Sequence, residues 1–209
     1  MTSADEAKAC CAASYGNDAV ALVLGESYHP VGLALTRRLA ECLRLRTGHR
    51  VVDVASGPGA TARMLATEYD VDVDGVDLGE STVANAREAT AEAGLSAKVR
   101  FHVGDAERIP LPDAAFDALV CECAFCTFPD KATAAAEFAR VLRPGGRVGI
   151  TDVTITDAGL PDCCAALKMP MKQAFTVPTT IPAKRVRHRR GARRRRHGAE
   201  LMRERPRRV

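Results

Sequence analysis

From Val51 onward, short apolar runs alternate with stretches in which apolar residues recur at helical spacing, with a period of roughly two dozen residues. The runs Val51–Ala55, Val71–Val76, Val99–Val103, Phe116–Glu122 and Arg147–Val153 read as strands. Between them, Ala60–Tyr69, Glu80–Ala93 and Lys131–Leu142 read as helices; Gly94 closes one and Pro144-Gly145-Gly146 follows another as stop signals. The connection from Gly104 to Ala115 is rich in Pro, Asp and Gly and predicts little helix. Upstream, Leu33, Leu35, Leu39, Cys42 and Leu43 predict a helix over Leu33–Leu45 that packs on the sheet ahead of the first strand. The polar, small residues 1–18 form an arm or a short first helix. This alternation implies an α/β fold, a doubly wound and mostly parallel sheet of five recognisable strands with helices on both faces. Ligands of such sheets sit outside the carboxyl ends of the strands.

Composition divides the chain further. The alternation stops after Asp157, and Thr176–Ala183 holds too many Pro and Thr for a helix. Lys184–Val209 carries 13 of the 30 Lys and Arg but 2 of the 26 acids, so the formal net charge of +4 belongs to the tail. Such a segment, basic and without periodicity, is expected to be disordered, and its Arg clusters suit nonspecific contact with nucleic acid. The expected organisation is therefore an arm with cap helices over 1–48, a ligand-binding domain over 49–157, an irregular segment over 158–183 and a basic tail over 184–209. The polar start resembles no signal peptide and no apolar run reaches the roughly 20 residues of a membrane span. The eight cysteines then read as reduced thiols of a soluble cytoplasmic protein.

The candidate chemistry gathers around Val51–Ala62, VVDVASGPGATA, which reads as strand, tight turn and helix. Its turn supplies Ala55, Gly57 and Gly59, with Asp53 in the strand before it. Asp77 with Leu78 follows the second strand, Gly104, Asp105 and Ala106 the third, and Cys121, Glu122 and Cys123 end the fourth. Four strand ends thus converge on one cleft. Asp77 lies 20 residues beyond Gly57, where an acid that accepts from both ribose hydroxyls is expected. Gly57-x-Gly59-x-x-Ala62 also fits the dinucleotide fingerprint, so the turn alone leaves a nicotinamide cofactor and another adenosine both open. Purely structural readings stand beside these: Asp53 as a buried hydrogen-bonded acid, Asp77 as a helix-start residue, Asp105 as a turn former. His29 beside Pro30 reads as a loop residue, and Glu107 and Asp113 as solvated.

Four spaced segments, VVDVASGPG, GVDLGESTVANAR, GDAERIPLPDAAFDALVCE and ARVLRPGGRVGITDV, resemble the class I S-adenosylmethionine-dependent methyltransferases, in that family's order over residues 50–153. The resemblance implies a Rossmann-like domain in which Asp53 and the turn from Gly57 to Gly59 hold the methionine end, Asp77 the ribose diol, and Asp105 with Ala106 the adenine, with Ala55, Leu78 and Glu122 as further cofactor-binding residues. The donor has no pyrophosphate, and acids near its cationic sulfonium are favourable. Within the family, VCECAFCTFPDK and ITDVTITDAGLP look like arsenite methyltransferases, which implies Cys123 and Cys126 in the reaction. Thiolates suit thiophilic ions, so Cys10 and Cys11 on a folded-over arm complete a possible metalloid site with Cys123; the alternative is that the cysteines only pack. The family continues into two last strands and a further cysteine that TVPTTIPAKRVRHRRGARRRRHG does not supply, and Cys163 and Cys164 lie too close to the fifth strand to replace it. The sheet is therefore expected to lack its last two strands, with a truncated or frame-shifted end. The expected function is methyl transfer from S-adenosyl-L-methionine to a small molecule or to thiol-bound arsenite, against nucleic-acid binding through the tail or a nicotinamide-dependent oxidoreductase.

Overall fold

The computed structural model describes Glu6, Lys8, residues 32–152 and residues 179–182. Cys10, Cys11, His29, Cys163, Cys164 and the basic tail lie outside the described residues. Glu6 and Lys8 are helical. The chain then runs α1 (Leu33–Leu43), β1 (Arg50–Val54), α2 (Ala60–Tyr69), β2 (Asp72–Asp77), α3 (Glu80–Glu92), β3 (Val99–Val103), β4 (Phe116–Glu122), a short 3-10 turn (Phe125–Thr127), α4 (Lys131–Val141), β5 (Leu142–Thr151) and β6 (Thr179–Pro182). The strand order is β3-β2-β1-β4-β5-β6, with β1 to β5 parallel and β6 antiparallel to β5.

Period-two alternation on β1 and β4 separates two apolar layers. Val51, Ala118 and Val120 face a layer containing Leu39, Leu43, Leu65 and Val83 of α1, α2 and α3. Val52, Val54, Leu119 and Cys121 face Phe138 and Val141 of α4 together with Ile109 and Phe116. Strands buried on both faces read as nearly unbroken valine runs, which is what β1 is. Asp53 pairs with Val120 across the β1–β4 ladder and with Gly75 across β1–β2. Two residues farther along those neighbours stand Glu122 and Asp77, so the pleat puts all three acids on the face that α1 and α2 cover.

Two departures from expectation have local causes. β5 begins at Leu142, with Pro144-Gly145-Gly146 inside it: Phe116 pairs with Leu142 and Ala118 with Arg147, a register shift that takes up the extra residues of that turn. The stop signal therefore ends the helix without delaying the strand. Among the described residues the sheet holds the five parallel strands expected and, within the segment read as irregular, a sixth antiparallel one, Thr179–Pro182. Threonines suit a strand, and proline is tolerated at the edge of a sheet, where β6 lies.

The connection from β3 to β4 holds little regular structure, as expected, and is fixed from α4. Arg140 donates to the carbonyl oxygens of Ile109 and Leu111 at 2.7 and 2.8 Å and pairs with Asp113 and Glu137, while Glu137 accepts from the Ile109 N–H. One arginine thus supplies the partners that an irregular backbone lacks.

Phe101 ties the glycine-rich turn to the sheet. A Cβ at Gly59 would lie 2.4 Å from its ring, as would one at Gly75. Gly59 also has φ +79, so both space and backbone require glycine there. Gly75→Ala, whose backbone is unstrained, is expected to cost about 1–3 kcal/mol by overpacking in urea unfolding. In a Phe101→Leu background the same change is expected to cost less by about 1 kcal/mol.

Candidate active site

Strand order reverses between β1 and β4, and the carboxyl ends of β1 to β4 border one cleft of about 1080 Å³, counted to its open mouth. Its wall includes Asp53, Ala55, Gly57, Asp77, Leu78, Asp105, Ala106, Glu122 and Cys123, so most of the residues singled out in the sequence come together. Gly59 and Cys126 are not part of the wall. Gly59 serves instead as the N-cap of α2, pressed on Phe101.

Each acid is held differently. Asp77 Oδ2 accepts from the Gly57 N–H and Oδ1 from the Gly79 N–H, both at 2.9 Å, so its carboxylate braces the turns after β1 and β2. Burial pushes Asp77 up, against the backbone N–H groups of Gly79, Gly57 and Leu78 that pull it down. Asp53 is 2% exposed, and its buried Oδ2 has no hydrogen-bond partner among the described residues. Burial, then the neighbouring Glu122 and Asp77 carboxylates, push Asp53 well above the usual carboxylate range. Glu122 accepts from the hydroxyls of Thr36 and Thr61 at 2.9 and 2.8 Å, and from Thr151 at 3.3 Å.

The rim carries a residue that no sequence pattern announces. Lys8 Nζ reaches Asp105 Oδ2 at 2.7 Å and Glu107 Oε2 at 2.5 Å. Glu107, expected to be solvated, has a side chain only 14% exposed, because it joins Lys8 to the Asp130 N–H that opens α4. Asp113 is 77% exposed and paired with Arg140. The Lys8 pairing spans 97 residues of chain, far beyond any local signal.

Ala55 and Cys123 follow adjacent strands and both adopt positive φ, +58 and +54. Each turns the chain away from the sheet at the cleft, at a cost of about 1–2 kcal/mol for a residue with a Cβ. Ser56, Thr61, Thr127, Phe128 and Pro129 also line the wall. Phe128 packs edge-on against Phe125 at 5.7 Å.

The thiols are not activated. Burial first, then the Asp152 and Glu122 carboxylates, push Cys123 up to about 12. Burial and the hydrogen bond to Asp152 push Cys126 up to about 12 as well. Both are thiols at neutral pH, where a nucleophile needs a thiolate. Among the described residues no three His, Cys, Asp or Glu side chains form a group that could hold a metal ion. No helix among them is long and apolar enough to cross a membrane.

Residues 52–150 match the family model described as a methyltransferase domain. The chain is 38% identical over 128 residues to the 27-O-demethylrifamycin SV methyltransferase of Amycolatopsis mediterranei, a match that covers 60% of this chain and 47% of the relative. The chain spans about half the length of the curated relatives it matches, 47%, 45% and 56% of three of them. A phosphoethanolamine N-methyltransferase of Haemonchus contortus, solved with phosphomonomethylethanolamine and S-adenosylhomocysteine, superposes with a TM-score of 0.64 at 26% identity, over 72% of this chain and 35% of that one. The [4+2]-cyclase SpnF superposes with a TM-score of 0.57 at 36% identity, over 61% of this chain and 47% of that one. The fold is thus the Rossmann-like α/β fold of the class I methyltransferases.

Two measurements check the electrostatics. An acid raised by burial binds its proton more tightly in the folded state, so its contribution to stability is complete below the unfolded value and is lost as pH rises through the folded one. Asp53→Asn, which mimics the protonated acid, is therefore expected to gain stability relative to the native chain as pH rises, and the gain should disappear in acid; urea midpoints from pH 4 to 9 read it. For the thiols, peptide mass spectrometry after iodoacetamide treatment is expected to show Cys126, though exposed, labelled at under about a tenth of the rate of free cysteine at pH 8, rising about tenfold per pH unit toward pH 11.

Proposed function

We propose that this chain is a class I S-adenosyl-L-methionine-dependent methyltransferase that acts on a small molecule. The observation that carries the reading is the trio Asp53, Asp77 and Glu122 on one face of three adjacent strand ends, with Asp53 Oδ2 buried and without a partner among the described residues. A buried polar atom facing a cleft calls for a ligand group to satisfy it. Acids around that end suit the ammonium and sulfonium of the donor. The residues therefore fit the donor, whose chemistry when bound is an activated methyl group on a positively charged sulfur.

The roles follow the cleft wall. Asp53, Ala55, Gly57 and Glu122 hold the methionine end, and Gly59 keeps the turn in place from behind. Asp77 and Leu78 take the ribose; each Asp77 oxygen has a second lone pair beyond the one given to a backbone N–H, enough for the diol. Asp105 and Ala106 border the adenine. The acceptor enters past Cys123, Thr127, Phe128 and Pro129, where an apolar wall excludes water and aligns it for displacement. Residues 49–157 are the donor-binding unit in this proposal.

The relatives, named for rifamycin and phosphoethanolamine methylation, support a carbon-based small molecule. A thiol-bound metalloid such as arsenite is a second reading, favoured by Cys123 on the wall; Cys126, Cys10 and Cys11 would be its other thiols. Its weakness is that Cys123 and Cys126 are held protonated, so a metalloid must displace both protons.

Titration calorimetry tests the donor. S-Adenosylmethionine is expected to bind the full chain, and Asp77→Ala to weaken it by more than about tenfold, or 1.4 kcal/mol. No binding at high protein concentration, or thermal stabilisation by a nicotinamide dinucleotide in its place, would overturn the reading. Arsenite added under reducing conditions separates the acceptors: stabilisation lost in Cys123→Ser favours the metalloid.

A further inference from the structure

Glu122 closes β4 on the cleft wall, and three threonines from three separate elements point their hydroxyls at it. Thr36 comes from the second turn of α1, Thr61 from the first turn of α2 and Thr151 from the end of β5. They are 0%, 6% and 1% exposed. Thr36 and Thr61 both donate to Oε2, at 2.9 and 2.8 Å, and Thr151 donates to Oε1 at 3.3 Å. Burying hydroxyls is unfavourable unless they find partners, and a core position would be filled at lower cost by apolar side chains. Converging three of them on one carboxylate does something different. Donors to a charged acceptor give stronger and more directional bonds than neutral pairs, and together they remove the freedom of a long side chain to swing into water.

Charge at this end of the cleft follows from that anchoring. Burial, then the acidic neighbours Glu122 and Asp77, favour the protonated form of Asp53, which stands beside Glu122 on the same face. Glu122 is the carboxylate the fold takes care to orient. Thr36 lies outside the segment that matches the methyltransferase domain, so nothing in that match accounts for its hydroxyl.

We infer that Thr36, Thr61 and Thr151 are positioning residues that fix the Glu122 carboxylate as a charge selector, by which the cleft prefers an adenosine ligand that carries a positively charged end to one without it. This rests on the methyl-donor reading above. Through Thr36, α1 contributes to ligand choice as well as to packing.

The test compares S-adenosylmethionine with 5′-methylthioadenosine, which keeps the adenosine and the thioether and lacks both positive charges. Dissociation constants are measured by calorimetry on the full chain, native and with Thr36→Val, Thr36→Ser and Glu122→Gln, each checked as folded by circular dichroism. Thr36→Val keeps the shape and removes the hydroxyl. It is expected to weaken S-adenosylmethionine about five- to tenfold while leaving 5′-methylthioadenosine within about twofold, the effect of one hydrogen bond to a charged group. Thr36→Ser restores the preference, and Glu122→Gln lowers it by more than about tenfold. If both ligands weaken equally, or neither does, while the native chain binds them, the inference fails and the donor reading stands. If the native chain binds neither, both fall.

Discussion

Like charges crowded at one edge of a sheet are the constraint around which this structure is arranged. The pleat of three parallel strands brings Asp53, Asp77 and Glu122 to one face, beside a cleft that water only partly reaches. Each acid is relieved in its own way: Asp53 by a raised affinity for its proton, Asp77 by two backbone N–H groups, Glu122 by three threonine hydroxyls. Those remedies in turn fix the turn after β1, the turn after β2 and the seating of α1 and α2. A site that repels itself when unliganded is one in which a cation is welcome.

The same logic separates the thiols from the chemistry. Cysteines in an acidic neighbourhood are poor nucleophiles: Cys123 stands beside Asp152 and Glu122, and at Cys126 burial and Asp152 outweigh the nearby Lys131. What Cys123 contributes is a sharp left-handed bend where β4 ends, matched by Ala55 at the end of β1. The two bends open the sheet at the point where its strand order reverses, and they do so without glycine.

Much of this was legible in the chain. The valine runs gave β1 to β4 within a residue or two, and the residues read at the strand ends, Gly57 and Asp77 among them, do line one cleft; the bond from the Gly57 N–H to Asp77 Oδ2 was no part of that reading. Positions after strands are easy to read because the fold class itself sends them to one edge. What could not be read depends on partners remote in sequence. Thr36 and Glu122 are 86 residues apart, and Lys8 lies 97 from Asp105; no periodicity links such pairs. Glycines 59 and 75 were visible as residues, but the ring of Phe101 that demands them was not. Pro144-Gly145-Gly146 read as an ending because a turn inside a strand leaves no pattern until its partner strand is known. β6 was hidden for a related reason, since a strand at the edge is defined by the neighbour it joins.

Arg140 shows how far from the cleft its shape is decided. Its helix, α4, covers the face of the sheet opposite the acids, yet the carbonyls it holds belong to the same connection that carries Asp105 and Ala106 to the rim. The wall of the cleft is therefore suspended from the far layer of the molecule. A change in α4 can tilt that wall without altering any residue in it, so variation on the back of the sheet is a route by which chains of this fold can come to accept differently shaped ligands while their acids stay where they are.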